Sequence, residues 1–251
     1  MQDIEKTLTD FIRISAAFLG IAEDAESAEG ADITEDLTIL PLAYRIAEDA
    51  EVYDDTGTSA TSAISACSAC RLCETRTLAV PGDGVENPLV MVVGEGPGAD
   101  EDRTGRPFVG RAGQLLDKML ASIGLSREKN CFIANMVKCR PPGNRNPSQD
   151  EIAACFPYLQ KQIELLKPKI ILCAGKISAQ RLFDSSLGMS AIRGNFSDFN
   201  TGIVGTSPIP LLATYHPSAV LREESLKRPA WEDLKMLRAK LEEMGLSFGL
   251  L

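Results

Sequence analysis

The chain holds a single histidine, no Gly-Lys-Ser/Thr phosphate loop, no Gly-x-Gly-x-x-Gly turn and no apolar run long enough to span a bilayer. The apolar stretch over residues 11–21 is short and interrupted by Arg13. The segment Met1-Gln2-Asp3-Ile4-Glu5 before it is acidic where an export signal would be basic. These absences argue against a P-loop, a Rossmann dinucleotide site, a membrane anchor and a secretory leader. Seven cysteines in a chain without an export signal point to thiols in a reducing cytoplasm rather than to a disulfide framework. The expected location is cytoplasmic.

A length of 251 residues, 44% apolar and 24% charged, suits one α/β core plus an appendage. The net charge of −9 argues at first against a nucleic-acid partner, but it is unevenly spread. Residues 1–66 carry 15 acidic side chains against Lys6, Arg13 and Arg45, a balance of −12, which leaves +3 on the remainder. A local basic surface is the relevant quantity. Arg103, Arg106, Arg111, Lys138, Arg140, Arg145, Arg193, Arg222, Lys227 and Arg228 can supply one, or can be scattered and solvated.

Apolar positions at helical spacing (Ile4, Leu8, Phe11, Ile12, Ala16, Leu19) predict an amphipathic helix over residues 1–22. An acidic linker or weak helix follows at 22–37, a short helix at 38–52 with Pro41 in its first turn, and a flexible linker at 54–62. This divides the chain into an acidic, helical or flexible N-terminal extension, residues 1–63, and a second domain, residues 64–251. In the second domain short apolar runs at 89–93, 131–135, 170–174 and 209–214 read as buried strands. Helical patterns lie at 113–123, 148–166, 176–183 and 229–244, and Ser148 with Glu151 makes a capping box. Alternation of strand and helix predicts an α/β fold, three-layer αβα with a short, mainly parallel central sheet. Ligands of such sheets bind at the carboxyl ends of the strands. There the chain places Gly94-Glu95-Gly96-Pro97-Gly98, Asn135 and His216, so loops from three strands are expected to converge on one pocket.

Each of these residues has two readings. The glycine-rich turn lets a ligand approach backbone amides or is simply a turn, although a buried Glu95 there would carry an expensive carboxylate. His216 lies in Thr214-Tyr215-His216-Pro217-Ser218, where Pro217 stiffens the turn; a lone histidine suits catalysis or a structural role. Phe108, in Gly105-Arg106-Pro107-Phe108-Val109-Gly110, covers the core or offers a flat platform to a planar ligand. Asn135 has a donor and an acceptor, fit for reading a base edge or for capping a turn.

The cysteines form a four-thiolate pattern drawn from three stretches of chain: the pair Cys67 and Cys70, the lone Cys139, and Cys155 in the following helix. Structural zinc usually takes two close pairs, and none follows Cys73. An iron–sulfur cluster tolerates irregular spacing. Cys73 competes as a ligand, since Cys67, Cys70 and Cys73 form a continuous Cys-x-x-Cys-x-x-Cys run, while Cys131 and Cys173 fall inside apolar strands and read as core.

Four stretches taken together resemble the family 4 uracil-DNA glycosylases, the iron–sulfur enzymes of the uracil-DNA glycosylase superfamily. They are Gly94-Glu95-Gly96-Pro97-Gly98, the run from Glu101-Asp102-Arg103-Thr104 through Gly113, Lys138-Cys139-Arg140-Pro141-Pro142-Gly143-Asn144-Arg145, and Tyr215-His216-Pro217-Ser218. The resemblance implies a 4Fe-4S cluster on Cys67, Cys70, Cys139 and Cys155, structural rather than redox-active. Arg71-Leu72 and Arg76-Thr77 match the family's register and set Cys73 aside. It further implies uracil-containing DNA as substrate and a base excision repair reaction that hydrolyses the N-glycosidic bond. Phe108 would stack on a flipped uracil, Asn135 would read its Watson–Crick edge, and Glu95, Gly96 and Pro97 would line the pocket. His216 would donate toward uracil O2, with Glu95 as a candidate to position the attacking water. Relatives outside this family have an aspartate at about the place of Gly96; Asp100, Asp102 or a backbone carbonyl are other candidates for its task. Arg140, Arg145, Ser218 and Arg222 are expected DNA contacts, with Leu221 or Arg222 as the wedge that fills the vacated stack. A monomer is expected, and no partner is assigned to the acidic extension.

Three rivals are weighed. A covalent uracil-DNA-trapping branch is marked by a basic insertion carrying a second histidine, and this chain runs without insertion from Arg106 to Gln114. A non-catalytic nucleic-acid-binding module would not need Glu95, Phe108, Asn135 and His216 together. A zinc-containing phosphate-binding protein is the third.

Overall fold

The computed structural model of the protein describes residues 57–202 and 207–246. The helices expected at 1–22 and 38–52 and the segment at 22–37 lie outside the described residues. The centre is a 6-stranded sheet in the order β1-β3-β2-β4-β6-β5. Its parallel core comprises β2 (Val90–Gly94), β3 (Cys131–Asn135), β4 (Ile170–Ala174) and β6 (Ile209–Thr214). These are the four apolar runs of the sequence, and strands buried on both faces read as continuous apolar stretches for that reason. Two antiparallel edges close the sheet, β1 (Asp83–Gly84) on β3 and β5 (Phe196–Phe199) on β6. Neither edge was expected: one has two residues, and the other has polar residues at its centre.

Successive strand side chains point to opposite faces. Met91, Val93, Ile171 and Cys173 pack with α4 (Gln149–Leu166) and α5 (Lys176–Leu182). Val90, Val92, Ile170 and Leu172 pack with α3 (Arg111–Ala121) and α8 (Lys227–Glu243). Burial of each such side chain contributes about 1.5–3 kcal/mol. The three-layer αβα expectation therefore holds, with short helices α2 (Ala99–Thr104), α6 (Met189–Ile192) and α7 (Pro217–Arg222) in the connections.

One local reading is corrected. Helix α1 spans Gly57–Ala66, so the second half of the expected linker is helical and residue 64 lies inside the helix. The small, polar composition reads as linker, but Ile64 is buried at 1% exposure and α1 packs on α4. One apolar contact outweighs weak local propensity.

Helix α4 begins at the expected capping box, where the Ser148 N–H donates to Glu151 Oε2 at 2.8 Å. The buried Glu151 does more than cap. Arg145 donates to both its oxygens (2.8 and 2.6 Å) and Arg71 to Oε1 (3.0 Å). Hydrogen bonding from Arg145 holds its carboxyl well below the usual carboxylate range. One side chain thus ties the turn after Cys70, the loop after Cys139 and the helix that carries Cys155. A depressed carboxyl pKa stabilises the fold above the unfolded value and loses that contribution in acid. E151Q is accordingly expected to lower unfolding free energy by about 1 to 2 kcal/mol near neutrality. Urea denaturation of the two proteins should show the difference shrinking below about pH 4.

Candidate active site and cysteine cavity

The parallel register sets Gly94 beside Asn135 at the carboxyl ends of β2 and β3. Gly94 has no side chain, and the space a Cβ would need is filled by Asn135 Oδ1 and by the Phe108 ring, with Cζ at 2.6 Å. Asn135 is 1% exposed, and its Oδ1 has no hydrogen-bond partner. An orphaned buried acceptor is costly, so this oxygen is an open seat for a donor. Phe108 is buried as well and has a left-handed backbone, φ +53°.

His216 caps α7, whose first residue is Pro217. Its Nδ1 accepts from the Ser218 N–H at 3.1 Å and lies 2.8 Å from Ser218 Oγ. A ring nitrogen that accepts a backbone N–H carries no proton, so the neutral ring keeps its proton on Nε2. Burial pushes the His216 pKa down to about 4, Arg222 adds to this, and Glu101 opposes it. The imidazole is therefore an uncharged Nε2–H donor at neutral pH. Its ring centroid is 5.5 Å from that of Phe108. Gly175, at the end of β4 with φ +106°, leaves room for the His216 Cβ. Behind it, Arg193 pairs with Asp233 of α8 at 2.6 Å and lies over the Tyr215 ring, which anchors the loop. Gly94, Asn135 and His216, from three strand ends, thus gather around Phe108, which comes from the loop between α2 and α3.

Glu95 follows Gly94 and is partly buried; desolvation raises its carboxyl pKa. Pro97 is buried in the same turn. A Cβ on Gly96 would sit 2.8 Å from Cγ2 of the buried Val137, so an aspartate has no room there. Asp102 is occupied with the Thr77 N–H (2.9 Å) and Asp100 with Arg103 (3.0 Å). The expected DNA contacts have partners within the protein: Arg145 is on Glu151, Ser218 on His216, and Arg140 donates to Asn144 Oδ1 at 2.8 Å. Arg222 is exposed at the end of α7, next to Leu221 at 46% exposure.

Cys67, Cys70, Cys139 and Cys155 line one cavity, with Cys73 also on its wall. Cys131 and Cys173 are fully buried within β3 and β4, as core residues. Among the described residues no group of three or more His, Cys, Asp or Glu is arranged to hold a single metal ion. Arg76, Lys138 and Tyr158 share the wall of this cavity with the cysteines. Its surroundings suit anionic sulfur. Arg76 Nη1 donates to Cys139 Sγ (3.1 Å), the Lys138 N–H to Cys155 Sγ (3.2 Å) and the Ala69 N–H to Cys67 Sγ (3.4 Å). Burial raises the thiol pKa values of Cys70, Cys139 and Cys155, the last to about 12, so bound metal would have to drive deprotonation. Beside the cavity the ammonium of Lys138, 2% exposed, donates to two neutral acceptors, Asn135 O (3.0 Å) and Gln162 Oε1 (2.6 Å). Buried cations are ordinarily paired, and thiolates of a cluster would complete this one. The residues present fit a polynuclear iron–sulfur group.

Lys138, counted from sequence among the candidates for a basic surface, is instead buried at 2% exposure; Arg76 was read only as a register mark and not as a donor to Cys139, and Gln162 and the tautomer-setting role of Ser218 were missed. The Pro217-Ser218 start of a helix after a histidine was the available signal for the latter. Because His216 is the only histidine, its imidazole signals can be followed without overlap. Nitrogen-15 NMR should report the Nε2–H tautomer and a titration midpoint near 4; a midpoint at the ordinary value of about 6.5 contradicts the burial argument.

The model of the uracil DNA glycosylase superfamily matches residues 81–235, which include Glu95, Phe108, Asn135 and His216. The chain is 45% identical over 172 residues to the type-4 uracil-DNA glycosylase of Sulfurisphaera tokodaii, a match covering 65% of this chain and 74% of that protein. To the type-4 uracil-DNA glycosylase of Thermotoga maritima it is 41% identical over 173 residues, covering 68% and 86%. The type-5 uracil-DNA glycosylase of Mycobacterium leprae is 33% identical over 157 residues, covering 55% and 67%. With the superfamily model spanning more than half of the chain and type-4 relatives matched over most of their length, the chain belongs to the type-4 branch of the uracil DNA glycosylase superfamily.

Proposed function

We propose that this protein is a monofunctional uracil-DNA glycosylase that releases free uracil from DNA and leaves an abasic site. The observation that carries the reading is the unpartnered, buried Asn135 Oδ1 beside the Phe108 ring and a neutral His216. Uracil presents N3–H between two carbonyls. Asn135 Oδ1 accepts N3–H and its amide donates to O4, while the face of the base stacks on Phe108. The base has to leave the helix to reach them, and a mismatched uracil costs least to extrude. Leu221 or Arg222, exposed on α7, fills the gap.

Breaking the N1–C1′ bond leaves the electron pair on the base and positive charge on the sugar. His216 donates Nε2–H to uracil O2, where the negative charge collects, and a fixed neutral donor stabilises that charge without giving up its proton. Water adds to C1′. Glu95, made more basic by desolvation, is the proposed group to orient it and take its proton; Lys138, beside Asn135, is held by Asn135 O and Gln162 Oε1, which argues against Schiff-base chemistry. Cys67, Cys70, Cys139 and Cys155 would hold a 4Fe-4S cluster, which when bound supplies thiolate bonds joining three stretches of chain, with no redox step assigned. Arg140 and Arg222 are the proposed phosphate contacts, and Arg145 and Ser218 contribute through Glu151 and His216. Residues 64–251 are proposed as the catalytic domain of a cytoplasmic monomer, and residues 1–63 as an acidic extension that joins it through the helix Gly57–Ala66.

A labelled oligonucleotide with one uracil, treated with the protein and then with mild alkali, is expected to break at the uracil. N135A and H216A should each lower the single-turnover rate by about 100-fold or more. An intact strand after incubation with iron-loaded protein would refute the reading, and a stable protein–DNA adduct would favour the covalent branch. For the cavity, C155S is expected to lose iron and C73S to retain about four irons per chain.

A further inference from the structure

Phe108 keeps a backbone conformation that side-chain-bearing residues rarely adopt, φ +53°. Two charged groups grip the chain around it. On one side Glu101 Oε1 accepts from the N–H of Val109 (2.8 Å) and of Gly110 (3.0 Å). On the other, Arg127 donates Nη1 to Pro107 O and Nη2 to Phe108 O, both at 3.0 Å. Arg127 lies between α3 and β3 and its side chain is 7% exposed. Asp117 (2.7 Å) and Asp83 (3.0 Å) balance its charge. Gly113, in the first turn of α3, admits the same loop, since a Cβ there would strike the Phe108 carbonyl. A planar guanidinium can reach successive carbonyls while it pairs with carboxylates; an ammonium is a point charge without that fork.

We propose that Arg127 is a positioning residue for base recognition: it holds the carbonyls of Pro107 and Phe108 and so keeps Phe108 left-handed, with its ring over Gly94 beside Asn135. The inference rests on the reading of Phe108 as the stacking platform. Arg127 acts through the backbone of Phe108. Without the grip, Phe108 relaxes toward negative φ and its ring swings away from the position where the base must lie.

The test is a double-mutant cycle on the full-length, iron-loaded protein, using R127M, F108A and R127M/F108A. For each, kcat and KM on a uracil oligonucleotide, the inhibition constant of free uracil, and iron content are measured. R127M is expected to lower kcat/KM about tenfold or more and to weaken inhibition by free uracil, as F108A does. Added to F108A, it should change either quantity by no more than about twofold. A purely structural role would scale kcat in both backgrounds and leave the inhibition constant unmoved. Multiplicative losses, or an unchanged kcat/KM in R127M, overturn the proposal while the stacking reading stands. An F108A protein as active as wild type overturns the stacking reading, and the proposal with it. If R127M does not fold, D117N, which loosens Arg127 from a half-exposed edge of the network, enters the same cycle under the same criteria.

Discussion

A lysine ammonium with almost no exposure has to be satisfied where it stands, and around Lys138 the protein has built both of its sites. Nζ donates to Asn135 O and to Gln162 Oε1, and Gln162 in turn donates to Pro81 O. The backbone N–H of Lys138 points at Cys155 Sγ, and its carbonyl accepts from Val80. Asn135 and a cysteine of the cavity are therefore held by one side chain and its peptide. Movement at either place would strand a buried charge, so the two are mechanically joined over a few bonds. A cluster held by the four cysteines would act through this linkage as a fastener for the loops around the pocket.

The same device recurs where the backbone is irregular. Glu151 gathers Arg71, Arg145 and the Ser148 N–H, and Glu101 gathers three backbone N–H groups, those of Gly98, Val109 and Gly110. Loops cannot satisfy their own polar groups as a sheet does, and a carboxylate with several acceptor positions does so with defined geometry. Glycine supplies the complementary device: at Gly94, Gly113 and Gly175 a missing Cβ admits Phe108, its carbonyl and His216. Charged side chains fix the loops, and absent side chains let them approach.

The legible part of the fold was its centre. The four parallel strands are runs of apolar residues, and the order of strands and helices dictated a layered α/β sheet with its pocket at the strand ends. What escaped the sequence were elements with too little local signal. The edge β1 has two residues, and α1 is composed mostly of small and polar residues whose helix depends on burying Ile64. For the site, Asn135, Phe108 and His216 stood out because each is an unusual residue beside a strand end or between glycines. Arg127 and Arg76 did not, because a cation far away in sequence gives no periodic sign of what it will meet, and Lys138, though close in sequence to Asn135, read as a surface charge.

By itself, then, the sequence determined the class of sheet, the family and the identity of the residues offered to the pocket and the cavity, because hydrophobic runs and short motifs are local properties. The tertiary structure alone decided which groups are neutral, which are paired and which are left open. The neutral state of His216, the buried carboxylate of Glu151 that Arg145 pairs with, and the unfilled acceptor on Asn135 all depend on burial. Burial is a property of neighbours drawn from distant parts of the chain, and no local pattern records it.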